Sequence, residues 1–220
     1  MKKANTEERD ARERVQERET KRSGIQNTIF CINSSLELLF YHIKNENLSN
    51  LTLITSQTDT KVSKNILRKL PRQFIRWYSI NVNCVDPKLV PIPLGLSNGY
   101  DKNLDIDNNL INIEVDKFTK RKDNLLYLSF ADNTNIRLRS GLKNYFSQYK
   151  WAKILYEKNE IVEYEKDLKD SNFVLCPQGN GIDTHRIWET LYCGSIPILE
   201  DHIGFNQFKK LPVMFVDDFS

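Results

Sequence analysis

Toward the C-terminal end of the sequence, Gly179, Asn180 and Gly181 precede Asp183, Thr184, His185, Arg186 and Glu189. Loop glycines let backbone N–H groups come close to a ligand, and a helix starting at the Asp-Thr pair adds a partial positive charge suited to phosphate. The planar fork of Arg186 matches phosphate oxygens better than a lysine would. Glu189, one turn further in, offers paired acceptors to a diol. Together these residue types describe an anion site with an acidic group behind it. Each charge-assisted bond is worth roughly 1.5–3 kcal/mol, so losing Arg186 or Glu189 should weaken binding about tenfold to a hundredfold.

Spacing indicates the elements that must position them. The apolar run Phe173-Val174-Leu175 stops at Cys176-Pro177 and predicts a strand. Ile187, Trp188, Leu191 and Tyr192 form one apolar stripe at helical spacing, so both aromatics belong to the core. His185, Arg186 and Glu189 share the opposite side of that helix. Gly194 ends it, and Ile196 to Leu199 predicts a second short buried strand. A β-loop-α-β unit requires parallel strands with a right-handed crossover, and ligands of such sheets lie beyond the carboxyl ends of the strands.

The run NFVLCPQGNGIDTHRIWETLYCGSIPIL resembles the donor-binding motif of exostosin-like glycosyltransferases, whose catalytic domains have the two-domain GT-B fold. A weaker similarity lies in Asn124 to Phe130 followed by Asn133-Thr134-Asn135-x-Arg137, and in Trp77-Tyr78 with Pro91 to Leu96. The resemblance implies an enzyme that moves a sugar from a nucleotide-diphosphate donor, with UDP the implied nucleotide, to a glycan or other hydroxyl acceptor. It implies that Gly179 to Gly181 and Arg186 hold the diphosphate and that Glu189 holds the ribose hydroxyls. Asp183, Thr184 and His185 match the same pattern as further substrate-binding positions. The implied enzyme needs no metal and no cofactor.

In the implied mechanism an acceptor hydroxyl attacks the anomeric carbon with inversion and the nucleoside diphosphate leaves. Arg186 and the loop amides would stabilise the charge growing on the bridging oxygen, with His185 assisting. Inversion requires a general base on the acceptor. Asp59, Asp86 and Asp101 are the candidates in the first half, and no sequence argument separates them.

Other readings compete. Arg186 and Glu189 could form a surface i,i+3 pair worth a few tenths of a kcal/mol, and a lone histidine is more often solvated than catalytic. A dinucleotide site would use Gly179-x-Gly181 with Glu200 as the ribose acid, but Thr184 stands where a third glycine belongs. A non-catalytic nucleotide-sugar or glycan-binding module would keep the donor loop and lack the base.

The 220 residues carry 32 Lys and Arg against 29 Asp and Glu, a net charge of +3 that gives a weak electrostatic case for nucleic acid. No apolar run approaches the ~20 residues of a membrane span, and the polar N-terminus lacks a signal-peptide core. Cys31, Cys84, Cys176 and Cys193 show neither zinc-ligand spacing nor a disulfide framework. These features lead to the expectation of a cytoplasmic protein with reduced, mostly buried thiols, no metal, and unused sequons at Asn33, Asn47 and Asn50.

The expected class is α/β, with Rossmann-like parallel sheets in an abbreviated or partial GT-B-type arrangement. Residues 1–24 form a charged, solvated or disordered arm, 25–118 an acceptor-side half, and 119–220 a nucleotide-sugar-binding half. In the first half, strands are expected at Thr28 to Ile32, Leu51 to Thr55, Ile80 to Val85 and Leu89 to Ile92. Helices are expected at Ser35 to Lys44 and, interrupted at Pro71, at Lys61 to Tyr78, with a loop or linker over Asn98 to Asn109. In the second, strands at Leu125 to Phe130 and Lys153 to Tyr156 alternate with helices at Arg137 to Tyr149 and Ile161 to Asp170. A strand over Val213 to Val216 opens into a loop at Asp217-Asp218. A GT-B donor domain would continue with further helices past Ser220, so the sequence is expected to be a fragment or a reduced member.

Overall fold

A computed structural model of the chain describes residues 27–97, 122–156 and 160–219. The charged arm, the expected loop over Asn98 to Asn109 with Asp101, and the junction of the two halves at 118/119 lie outside the described residues. The fold is α/β, built on two Rossmann-like sheets in which every paired strand is parallel.

The first sheet runs in chain order, β1 (Thr28–Ile32), β2 (Leu51–Ser56), β3 (Phe74–Ser79) and β4 (Leu89–Pro91). The alternation of β2 sends Leu51, Leu53 and Thr55 inward. Helix α1 (Leu36–Ile43) lays Leu36, Phe40 and Ile43 on that face, with the Phe40 ring edge-on to Trp77 at 5.9 Å. Several of the polar groups buried here hydrogen-bond to one another or to the backbone, although Asn33 Oδ1 and Gln73 Oε1 have no partner among the described residues. Trp77 Nε1 donates to Thr55 Oγ1 at 2.9 Å, and Thr55 Oγ1 donates to Ser79 Oγ at 2.7 Å. Gln73 Nε2 donates to the Ile43 carbonyl at 2.8 Å and so closes the end of α1.

Two expectations fail in this half. The helix expected over Lys61 to Tyr78 survives only as α2 (Lys64–Leu67), and its second part is β3. Pro71 is a boundary rather than a kink, and β3 is paired on both sides, to β2 and β4. Ile80 to Val85 is not a strand. Asn81 adopts a left-handed backbone (φ 53°), which breaks the ladder and leaves one bridge between Val62 and Val82.

The second sheet contains β5 (Asn124–Leu128), β6 (Ala152–Ile154), β7 (Ser171–Leu175), β8 (Ile196–Glu200) and β9 (Met214–Val216). Its order is β6-β5-β7-β8-β9, so the winding reverses between β5 and β7. Both faces are covered. Leu142 and Phe146 of α4 (Leu142–Phe146) pack on Leu126, Leu128 and Leu175. Leu168 of α5 (Ile161–Lys169) and Ile187 and Leu191 of α6 (His185–Tyr192) pack on Tyr127 and Val174.

The helix expected over Arg137 to Tyr149 is two short ones, α3 (Ile136–Arg139) and α4. They part at Gly141, whose φ of 89° no other residue adopts easily. Gly194 does end α6. At φ 71° it donates to the Leu191 carbonyl while Ser195 donates to Thr190, which is a Schellman closure. All four cysteines are free, and burial pushes the Cys176 and Cys193 thiols up to about 12. Among the described residues no helix is long and apolar enough to cross a membrane.

Candidate active site

The reversal between β5 and β7 places a crevice at their carboxyl ends. β7 leads through Cys176 to Thr184 into α6, and β5 leads through Phe130 into a 3-10 turn at Asp132–Thr134. Arg139 joins these two exits. It is 4% exposed and donates to the carbonyls of Pro177 (2.8 Å), Gln178 (3.0 Å) and Ala131 (3.0 Å) and to Thr134 Oγ1 (2.5 Å). Asn135 Nδ2 adds a bond to the Gly179 carbonyl at 3.2 Å. The loop backbone is thereby held by side chains rather than by a ladder.

The loop glycines are explained by close approach rather than by a left-handed backbone. A Cβ on Gly179 would stand 3.1 Å from Arg139 Nη2, and one on Gly181 would stand 2.9 Å from the Asn81 side-chain amide. Asn81 belongs to the first half. Its Oδ1 accepts from the Asp183 N–H at 2.9 Å and its Nδ2 donates to the Thr58 carbonyl at 3.1 Å.

Thr184 is the N-cap of α6, and no side chain caps that helix. The Asp183 carboxylate accepts from the Leu94 N–H (2.7 Å) and from Trp188 Nε1 (2.8 Å), so it fastens the first half to the helix. Burial raises its carboxyl to about 6, against the opposing pull of those bonds. His185 Nδ1 lies 2.7 Å from the Gly95 carbonyl. A carbonyl only accepts, so Nδ1 carries a proton and donates to it. A further link joins the halves where His202 Nε2 donates to Asn83 Oδ1 at 3.1 Å.

Two cavities flank the start of α6. One, of about 380 Å³, lies between Gly179, Asn180, Gly181 and Asp183 on one wall and Gln57, Thr58 and Asp59 on the other. The second, of about 400 Å³, is lined by Ser129, Tyr164, Arg186 and Glu189. Thr184 and His185 border both. Gly179 to Gly181, Asp183 to Arg186 and Glu189 therefore fall on one or both cavities, as does the base candidate Asp59, whereas Asp86 and Glu200, the latter at the end of β8, line neither.

Glu189 is not on a solvated helix side. It is 6% exposed because α5 packs across α6, and Tyr164 donates to its Oε2 at 2.9 Å. Burial holds the Tyr164 phenol well above its ordinary range, so it stays a donor. Positive charge gathers around Phe130. Arg139 Cζ, Lys143 Nζ and Arg186 Cζ stand 5.4, 5.2 and 6.0 Å from the Phe130 ring centre. Lys143 is paired only loosely with Asp132, at 3.6 Å. Burial, then the neighbouring Arg186, lowers Arg139 to about 10.

Arg186 Nε and Thr184 Oγ1 are buried without a hydrogen-bond partner. Buried donors normally have partners, so these two mark a place where oxygen atoms of a ligand fit. A concentration of cations beside a helix start, with a carboxylate one turn in, can hold a diphosphate and an adjoining diol. No group of three or more His, Cys, Asp or Glu side chains able to hold a metal occurs among the described residues.

Arg139, Lys143, Asn81 and Tyr164 were not legible as site residues. The weak similarity at Asn135-x-Arg137 came nearest, but Arg137 is exposed and the buried arginine is two positions later. Among curated proteins, comparison of the sequence finds no match. Residues 136–213, which span Arg139, the loop and α6, match the family described as the RXYLT1 C-terminal domain, a xylosyltransferase family. That match supports a glycosyltransferase-related function without singling out the exostosins.

Proposed function

We propose that the chain transfers a sugar from a UDP-linked donor to the hydroxyl of a glycan or similar acceptor, with inversion, in a GT-B-type arrangement. The observation that carries this reading is the pair of orphaned buried donors, Arg186 Nε and Thr184 Oγ1, at the start of α6 between two cavities. The diphosphate sits on that helix start, where Arg186 meets its oxygens and the helix dipole favours its charge. The nucleoside extends into the second cavity, with the ribose diol on Glu189 and Tyr164 holding that carboxylate in place. The sugar then points into the first cavity, toward the wall formed by the first half. Xylose is the sugar the matched family suggests. As the anomeric bond breaks, charge moves onto the diphosphate, and Arg186 with the loop amides stabilises it.

Calorimetric titration tests the reading. UDP should bind the wild-type chain, and Arg186→Ala should weaken it about tenfold to a hundredfold. Binding of NAD in place of UDP would reject it. UDP binding without consumption of any UDP-sugar would leave a donor-binding module rather than an enzyme.

A further inference from the structure

We propose that Asp59 is the general base that removes the proton of the acceptor hydroxyl; this rests on the transfer reading given above. An inverting displacement needs its nucleophile on the face of the sugar opposite the departing diphosphate. With the diphosphate at the start of α6, that face looks across the first cavity to Gln57, Thr58 and Asp59. Asp59 and Asp183 are the two carboxylates on the cavity. Asp183 is buried and its oxygens already accept from Leu94 N–H and Trp188 Nε1–H. Asp59 is exposed, and among the described residues no hydrogen bond or ion pair occupies its carboxylate. Of the other first-half candidates, Asp86 spends Oδ1 on the Lys88 N–H at 2.8 Å and lines neither cavity.

The loop that carries Asp59 is built to a fixed geometry. It leaves the carboxyl end of β2, and Gln57 holds a left-handed backbone (φ 69°) that a non-glycine residue adopts only at a cost. Asn81 grips the Thr58 carbonyl with one amide atom and the Asp183 N–H with the other. One buried side chain thus sets the spacing between the Asp59 loop and the start of α6.

In the step itself, an Asp59 carboxylate oxygen takes the proton from the acceptor O–H. The freed oxygen lone pair forms the new bond to the anomeric carbon. The bond from that carbon to the bridging oxygen breaks, and its electron pair leaves on the nucleoside diphosphate. Asp59 then returns the proton to solvent.

The test uses UDP-xylose with water as the acceptor, following UDP release by the wild-type chain and by Asp59→Asn, with and without sodium azide. Water must lose a proton to react, whereas azide is already an anion. Asp59→Asn should keep the wild-type melting temperature and UDP affinity within about twofold and lose hydrolysis by about a hundredfold or more. Azide should restore UDP release in the variant and yield the glycosyl azide of inverted configuration. Arg186→Ala should lose both the water and the azide reactions together with UDP affinity. Unchanged hydrolysis in Asp59→Asn, a loss that azide leaves in place, or retained configuration in the product would each overturn the assignment while leaving the donor site standing. A wild-type chain that neither binds UDP nor consumes UDP-xylose would overturn the transfer reading and the base together.

Discussion

The two sheets are alike in being parallel, and they differ in what they bury. The first, wound in one direction as β1-β2-β3-β4, buries Asn33, Thr55, Gln73, Ser79 and Asn81, all of them uncharged. The second, with its reversal between β5 and β7, buries Arg139, Lys143, Asp167, Asp183 and Glu189. A neutral polar group is satisfied by one or two local hydrogen bonds, as in the Trp77–Thr55–Ser79 chain. A buried charge is costly unless something compensates it, and it persists where a ligand or a cluster of opposite charge is at hand. Reversed winding gives Arg139, Asp183 and Glu189 a common crevice, while Asp167 pairs with Lys153; one-way winding gives the first half no equivalent place. In the proposed transfer, the first half acts as a wall and a clamp, and the second holds the donor.

That contrast can be broken most severely through stability. Leu53 is fully buried in the first core, so Leu53→Ala should cost about 2–5 kcal/mol in urea unfolding while UDP affinity of the folded chain stays within about twofold. An affinity loss matching the stability loss would mean that the first half is part of the donor site.

A smaller effect should follow pH. Folding lifts the Asp183 carboxyl from 3.8 to about 6, so the folded chain holds this proton where the unfolded chain has lost it. The contribution is therefore most favourable below about pH 4 and is lost as pH rises through about 6, a change on the order of 3 kcal/mol. Thermal melts of wild type and Asp183→Asn should diverge across that window and run parallel above it. A flat difference would show the joint to be no more strained than the neutral network of the first half.

The smallest effect sharpens the picture inside the second half. Tyr164→Phe removes one hydrogen bond from Glu189, worth about 1 kcal/mol, so UDP should bind about fivefold more weakly. Pyrophosphate, which lacks the ribose, should bind as before. Equal losses for both ligands would put Glu189 on the phosphates instead.

Elements bounded by clear punctuation were legible in the sequence: β1, α1, β2, α5 and the β7-loop-α6-β8 unit. Failures came where one pattern serves two structures. Phe74, Ile75, Trp77 and Tyr78 fit a helix or a central strand equally well, and only pairing with β2 and β4 decides between them. Ile80, Val82 and Cys84 alternate like a strand, yet they are buried by a loop that turns at Asn81. At the site, residue type and order pointed to the loop and helix that line the two cavities. What stayed hidden was burial: spacing puts Glu189 opposite the apolar stripe, but it cannot show that α5 covers that side too. Arg139 was hidden for the same reason, since a helix of four residues has too few turns to show which side is covered.

The loop between β7 and α6 is also the joint between the halves, through Asn81 to Asp183, Leu94 to Asp183 and Gly95 to His185. In the proposed transfer, binding and joining draw on the same short segment, Gly179 to Arg186, and this has a thermodynamic consequence. A ligand on the loop that shifts the joint toward one setting changes the affinity of anything bound on the opposite wall. Linkage requires the second ligand to return that effect by the same factor. If the proposed transfer holds, then whatever order its two substrates follow, the chain cannot favour the acceptor through the donor without favouring the donor through the acceptor.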